Sequence, residues 1–208
     1  MHAQGIDPTT QQNLDSLSTL SLLDNYYLAG GTACALHIGH RISYDLDFFS
    51  QTPATPEQIR QELMSIGDVK IDQNDQGTFN GQLGDTKISF FIYPYPLLKP
   101  AEIYSEVKVA SLDDLVCMKL EAMSSRGVKR DFVDLFFLFQ KYSLEEALKL
   151  FDQKFSEQNV SSSHVIKSLI YFSDAENDPD PNMLVDYDWN EVKSFFVELV
   201  KKFMKSAQ

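Results

Sequence analysis

The sequence predicts an α+β fold: a small mixed β-sheet flanked by helices, followed by a helical second half. Three observations carry this. Short runs rich in β-branched and aromatic residues fall before residue 110, and Pro94, Pro96 and Pro100 interrupt them near the end. From Ser111 onward, apolar residues recur at helical spacing. Strands and helices do not alternate regularly, so a doubly wound βαβ array is not expected. A chain of 208 residues is one elaborated domain, or one plus an appendage, at about 150 residues per domain. The division read here is an α/β core over residues 1–110, with a polar N-terminal lead-in, and a helical region over 111–208 packed on that core.

Taken in order, residues 1–15 are polar and read as a loose lead-in. Residues 17–23 read as a short helix ended by Asp24-Asn25, and residues 26–29 as a short strand stopped by Gly30-Gly31. Thr32 then acts as N-cap for a helix over 32–40. Asp45-Leu46-Asp47-Phe48 alternates as a half-buried strand does. Thr55, Pro56 and Gly67 mark the cap, first residue and end of a helix over 56–66. Strands follow over 69–72, 78–83 and 87–93, with Gly84-Asp85 turning between the last two, and a final short strand over 103–109. Ser111 with Asp114 makes an acidic variant of the capping box, ahead of Leu115, Met118 and Ala122. Beyond Gly127, helices are expected over 128–142, 143–155, 162–173 and 188–205. No repeat of roughly 20–50 residues is present.

Composition narrows the function. Apolar residues at 43% and charged residues at 23% allow a sizeable core. A net charge of -12 excludes a general basic coat for nucleic acid but leaves room for one local basic site. Cys34 and Cys117 are too few for a disulfide framework or a four-ligand zinc site, so reduced thiols are expected. The first residues lack a basic and apolar leader, and the longest apolar run, residues 135–139, falls far short of the ~20 needed to span a bilayer. A cytoplasmic chain with no membrane role is the expectation.

The chemistry concentrates in Gly30-Gly31-Thr32 and, twelve residues on, Asp45-Leu46-Asp47. Residues two apart on a strand share a face, so both carboxylates project together. At about 4 Å they would repel by roughly 4 kcal/mol at an effective dielectric near 20. A divalent cation on oxygen ligands offsets that most simply. The glycine turn brings backbone N–H groups to a helix start, where phosphates bind. Mg²⁺ on two aspartates beside a phosphate cradle is the apparatus of phosphoryl or nucleotidyl transfer. Solvated edge carboxylates beside a plain turn are the alternative.

YLAGGTACALHIGHRISYDLDFF, residues 27–49, resembles the opening motif of the nucleotidyltransferase AbiEii toxin family, which includes MenT-type toxins within the polymerase-β-like nucleotidyltransferase superfamily. VCMKLEAMSSRGVKRDFVDLFFL, residues 116–138, resembles the family's lysine-bearing helix and the Arg/Lys-Asp-x-x-Asp helix after it. The resemblance implies a nucleotidyltransferase-like fold and transfer of a nucleoside monophosphate from an NTP. It makes Asp45 and Asp47 metal ligands for Mg²⁺, Gly30, Gly31 and Thr32 a phosphate-contacting turn, Lys119 the triphosphate-binding lysine, and Asp131 the later motif's acid. Arg41 and Ser43 follow as secondary candidates for substrate contact. Lys119, Arg126, Lys129 and Arg130 form a local basic cluster that reads as a triphosphate or RNA clamp, or as a solvated face with Arg130 paired to Asp134. The implied acceptor is RNA, the 3′ end of tRNA among the candidates. The implied role is the toxin of a type IV toxin–antitoxin system, whose antitoxin need not form a stable complex with it.

One departure stands out. The superfamily often carries a third carboxylate on a later core strand, and here Ser89 holds the inward position. That keeps open a relative that binds NTP without turnover. A haloacid-dehalogenase-like phosphatase would want Gly-Thr after its second Asp, where this chain has Phe48-Phe49. His37 and His40 lack a third ligand for zinc; His40 and Arg41 are read as packing or hydrogen-bonding near the aspartates. Tyr93-Pro94-Tyr95-Pro96 reads as a rigid corner or a base-stacking surface, and the 132–139 aromatic run as core.

Overall fold

The computed structural model describes residues 1–75, 77–156 and 162–206. Its sheet has seven strands: β1 (Tyr27–Ala29), β2 (Asp45–Ser50), β3 (Val69–Asp75), β4 (Thr78–Leu83), β5 (Thr86–Ile92), β6 (Glu102–Tyr104) and β7 (Val107–Val109). They lie in the order β3-β4-β5-β2-β1-β7-β6. The pairs β2–β5 and β1–β7 are parallel and the rest antiparallel, so the sheet is mixed as expected. Helices α1 (Pro8–Leu17) and α3 (Pro56–Ile66) pack on the sheet, as does α2 (Gly30–Ile38), which also meets the helical half. That half comprises α4 (Leu112–Ser125), α5 (Lys129–Leu138), α6 (Leu144–Lys154), α7 (Ser162–Ser168) and α8 (Trp189–Ser206).

Local rules explain most of these elements. Thr55 accepts from the Gln58 N–H while the Gln58 side chain returns to the cap, so α3 starts where Thr55-Pro56 predicts and stops before Gly67. Ser111 caps α4 through the Asp114 N–H, and Ser143 with Glu146 closes a full capping box on α6. The helical half is sealed by aromatic contacts: Phe132 meets Phe172, Trp189 and Phe196 at ring-centroid distances of 5.0, 5.7 and 5.6 Å. One apolar cluster runs from Leu14 through Phe48 and Leu120 to Val200. The buried Lys154 ammonium ties α6 to α4 through Asp114, 2.7 Å away, and also reaches the Pro96 carbonyl at 2.9 Å.

Several expectations are corrected. Residues 1–15 are not loose: Asp7 accepts from the Thr9 and Thr10 N–H groups, Pro8 opens α1, and Leu14 and Leu17 are fully buried. Instead of a helix over 17–23 there is a 3₁₀ turn, Ser21–Asn25, because α1 takes Leu17. α2 starts at Gly30, not after Thr32, whose hydroxyl donates to the Asp45 carbonyl instead of capping. The single strand over 103–109 is a hairpin, reversed at Ser105 and Glu106, whose φ values of 45 and 62 are those of a tight turn. α5 and α7 are also shorter than expected, ending at Leu138 and Ser168.

Candidate active site

Along β2 the side chains alternate: Leu46, Phe48 and Ser50 are buried, while Asp45, Asp47 and Phe49 are partly buried on the other face. The parallel register with β5 sets Lys87 beside Asp45, Ser89 beside Asp47 and Phe91 beside Phe49. The antiparallel register with β1 sets Ala29 opposite Asp47, which brings the glycine turn directly to the carboxylates. These residues and one face of α4 enclose a cleft of about 580 Å³.

The glycines are required by close approach. Gly30 has φ +67, and a Cβ there would lie 2.7 Å from Asp47 Oδ2. A Cβ on Gly31 would lie 2.5 Å from Arg41 Nη2 and 3.3 Å from Ser43 Oγ. The N-cap of α2, Ala29, offers no side-chain acceptor to the first-turn amides. A helix start of this kind, lining an open cleft, can receive an anion.

The segment joining α2 to β2 is held on both sides. Asp7 N–H donates to the Ser43 carbonyl and Ser43 N–H to that of Gly5. From the late chain, Leu184 N–H donates to the His40 carbonyl, and Ile42 N–H to that of Asn182. Arg41 and Ser43 are thereby fixed beneath the glycine turn.

Burial, and then the neighbouring Asp45, push the Asp47 carboxyl above its ordinary range; Lys119, Ser89 and Lys87 pull it back only in part. Asp45 faces Arg130 Nη1 at 3.6 Å, so Arg130 pairs with Asp45 and not with Asp134 four residues on. Among the described residues no three His, Cys, Asp or Glu side chains gather to hold a metal. Two aspartates alone still suit Mg²⁺, which binds through one or two carboxylates and fills its octahedron with substrate phosphates and water. Ser89 stands where a third acid would be.

Lys119 forms part of the cleft wall, but its ammonium is committed: it lies 2.8 Å from Asp131 Oδ1 and 2.7 Å from Asp134 Oδ2. Asp134, fully buried, also accepts from His40 Nε2 at 2.8 Å and from Arg41 Nε and Nη2 at 2.7 and 3.0 Å. Arg126 Nε donates to Asp131 Oδ2 at 3.0 Å. Burial opposes ionisation of both acids. Arg41 and Lys119 nevertheless hold Asp134 well below the carboxylate range, and Lys119 with Arg126 lower Asp131.

Several predicted site residues therefore sit elsewhere than expected. Asp131 supplies no third carboxylate to the cleft, because its charge is taken up by Lys119 and Arg126. Thr32 is buried against the Asp45 backbone. Lys129 leaves the basic cluster for Asp180 and the Asp178 carbonyl. Gly30, Gly31, Arg41, Ser43, Asp45, Asp47, Lys119, Arg126 and Arg130 do come together around the cleft. His37 bonds the Ala110 carbonyl at 2.9 Å. Both thiols are free and buried, with that of Cys34 pushed up to about 12 by burial.

Sequence reading missed Asp134 as the hub and Glu121 as a carboxylate on the cleft wall. Asp134 could have been found as the second acid of the Asp131-x-x-Asp134 helix, facing Arg41 across the fold. Nothing local marks Glu121.

A family model described as "Nucleotidyl transferase AbiEii toxin, Type IV TA system" matches residues 13–96 and 87–206. An uncharacterized protein of Aquifex aeolicus (strain VF5) is 34% identical over 202 residues, 94% of this chain and 96% of that one. Among solved structures, the nucleotidyltransferase toxin MenT4 from Mycobacterium tuberculosis H37Rv superposes with a TM-score of 0.59 at 16% identity, over 93% of this chain and 83% of that one. A putative nucleotidyltransferase from H. pylori gives 0.55 at 17% identity over 97% and 99%. ANT(2")-Ia in complex with adenylyl-2"-tobramycin gives 0.52 at 14% identity over 73% and 99%. At these identities the solved structures establish a shared fold.

Proposed function

Because the chain belongs to the AbiEii nucleotidyltransferase toxin family, we propose that it transfers a nucleoside monophosphate from an NTP to a hydroxyl of an RNA acceptor. Asp45 and Asp47, standing together beside the Gly30-Gly31 helix start at an open cleft, carry the reading. The uncapped amides of α2 bind the phosphates. Arg126 and Arg130, each half-exposed at the cleft, add positive charge to the triphosphate or the acceptor backbone. Lys119 acts from within the wall: its charge favours ionised Asp47 and anchors α5 against α4.

In the transfer, the acceptor hydroxyl gives its proton to water and attacks the α-phosphorus, the bond from that phosphorus to the bridging β-phosphate oxygen breaks and pyrophosphate leaves. Mg²⁺ held by Asp45 and Asp47 would neutralise charge on the reacting phosphates. Through that ion the aspartates would fix the α-phosphate end, and Arg41 and Ser43 brace the turn from below.

No helix among the described residues is long and apolar enough to cross a membrane. We place the activity in the cytoplasm, where NTP and tRNA meet, under an antitoxin that need not bind the enzyme.

The test is label transfer from each α-labelled NTP to total RNA with Mg²⁺. Wild type labels RNA, and Asp45→Ala and Asp47→Ala each abolish labelling while keeping the fold. Full activity in either variant removes the aspartate site. Ser89 beside Asp47, in place of a third acid, favours a second reading: an NTP-binding relative without turnover. Mg²⁺-dependent NTP binding with no transfer to any RNA pool would select it.

A further inference from the structure

One carboxylate in the cleft has no part in the phosphate chemistry. Glu121 projects from α4 into the end of the cleft away from the glycine turn, where Phe49, Phe91, Tyr93 and Met118 line it. The strand registers fix the order of this surface. On β2, Phe49 follows Asp47 on the same face, about 7 Å along the strand, and Phe91 lies beside it on β5. Phe49 is 5.3 Å from the Phe91 ring and 5.4 Å from the Tyr93 ring. A nucleotide with its phosphates at Asp47 therefore has aromatic surface at the distance of its base.

Glu121 is the polar group at that end. The Tyr93 hydroxyl donates to its Oε2 at 3.2 Å. Burial and the adjacent Glu121 keep that phenol protonated, so the bond has one direction, and Tyr93 in turn is wedged against Tyr95 at 4.8 Å. Among the described residues no basic side chain forms a salt bridge with Glu121; burial raises its carboxyl, and the Tyr93 bond and the more distant Lys154 charge pull it back in part. A carboxylate is an acceptor only, and a half-buried one facing a ligand needs an N–H or O–H partner.

We propose that Glu121, held by Tyr93, is a specificity-determining residue that reads an exocyclic amino group of the nucleobase. NTPs whose base carries that group are thereby favoured over UTP. Uracil turns a carbonyl lone pair to the carboxylate at the position where cytosine offers a donor. This inference rests on the NTP reading of the same cleft and adds to it the base class.

The experiment compares three near-isosteric pairs, CTP with UTP, ATP with ITP and GTP with ITP, by equilibrium binding and by label transfer. They are tested on wild type, Glu121→Gln and Tyr93→Phe. In wild type the amino-bearing member of at least one pair binds about tenfold or more tightly, as expected for a hydrogen bond to a charged, partly buried group. Glu121→Gln brings that pair within about threefold, by replacing the charge-assisted bond to the amino group with a neutral one and, for UTP against CTP or ITP against ATP, by donating to the carbonyl. Tyr93→Phe, which frees the carboxylate without removing it, reduces the ratio to an intermediate value. Equal binding within all three pairs in wild type overturns the inference while leaving the NTP reading intact, as does a ratio unchanged in Glu121→Gln. If none of the five triphosphates binds wild type in Mg²⁺, the NTP reading falls and takes the inference with it.

Discussion

Replacing Lys119 with Ala is expected to destabilise the fold as well as the activity. Lys119 is 4% exposed, and its ammonium lies within 2.8 Å of one oxygen on each of two fully buried aspartates. A family-motif lysine that simply met the triphosphate would be dispensable to the fold, and its loss would lower NTP affinity with little change in melting temperature. The structure argues otherwise. Removing one partner of a buried ion pair costs about 3–5 kcal/mol, because the remaining charge stays buried and uncompensated. Here the lower end applies, since Arg126 still bonds Asp131, and Arg41 and His40 still bond Asp134. At about 2–4 °C per kcal/mol for a chain of this size, ~3 kcal/mol lowers Tm by about 6–12 °C. The assay is thermal unfolding at neutral pH with NTP absent, alongside NTP titration at a temperature where both proteins are folded. A Tm within about 2 °C of wild type, with NTP affinity lost, would refute the buried-network argument and return Lys119 to direct phosphate contact.

Asp47→Asn should gain stability while losing transfer: its carboxyl is raised in the fold, so the ionised form costs stability at neutral pH, and that cost vanishes as pH falls through the raised value. A lower Tm at pH 7 would contradict this. The opposite sign holds for Asp131 and Asp134, whose lowered carboxyls add stability above the ordinary carboxylate range that is lost as pH falls through their depressed values. Urea unfolding should show stability dropping below about pH 4, and less steeply in Asp131→Asn; an unchanged slope in that variant removes Asp131 from the effect. Gly30→Ala should cost about 1–2 kcal/mol from the left-handed backbone alone, with transfer lost because the new methyl displaces the Asp47 carboxylate. Retained transfer would mean the turn can yield.

Legibility in the sequence followed the range of the interactions. α3 and the capped helices α4 and α6 could be read because cap, proline and glycine act within a few residues. Asp45 and Asp47 could be read because a two-residue strand period puts them on one face whatever surrounds them. α1 went unread although Asp7-Pro8 announces it, since its polar face outweighs the two leucines it buries. The commitments of Lys119 and Asp131 stayed hidden because they depend on α4 and α5 meeting beside α2, contacts that no local pattern encodes. Arg130 likewise chose Asp45 across the fold over Asp134 one turn along its own helix.

The rails along residues 40–43 come from segments far apart in the chain, residues 5–7 and 182–184. A ribosome releases residues 5–45 long before it adds 182–184, so a nascent chain carries its acidic pair yet lacks one side of the clasp that seats Arg41. That side of the clasp closes only once residues 182–184 have emerged. Chains cut short of residue 182 lack the support it gives beneath the glycine turn, whatever half of the sheet they have already assembled.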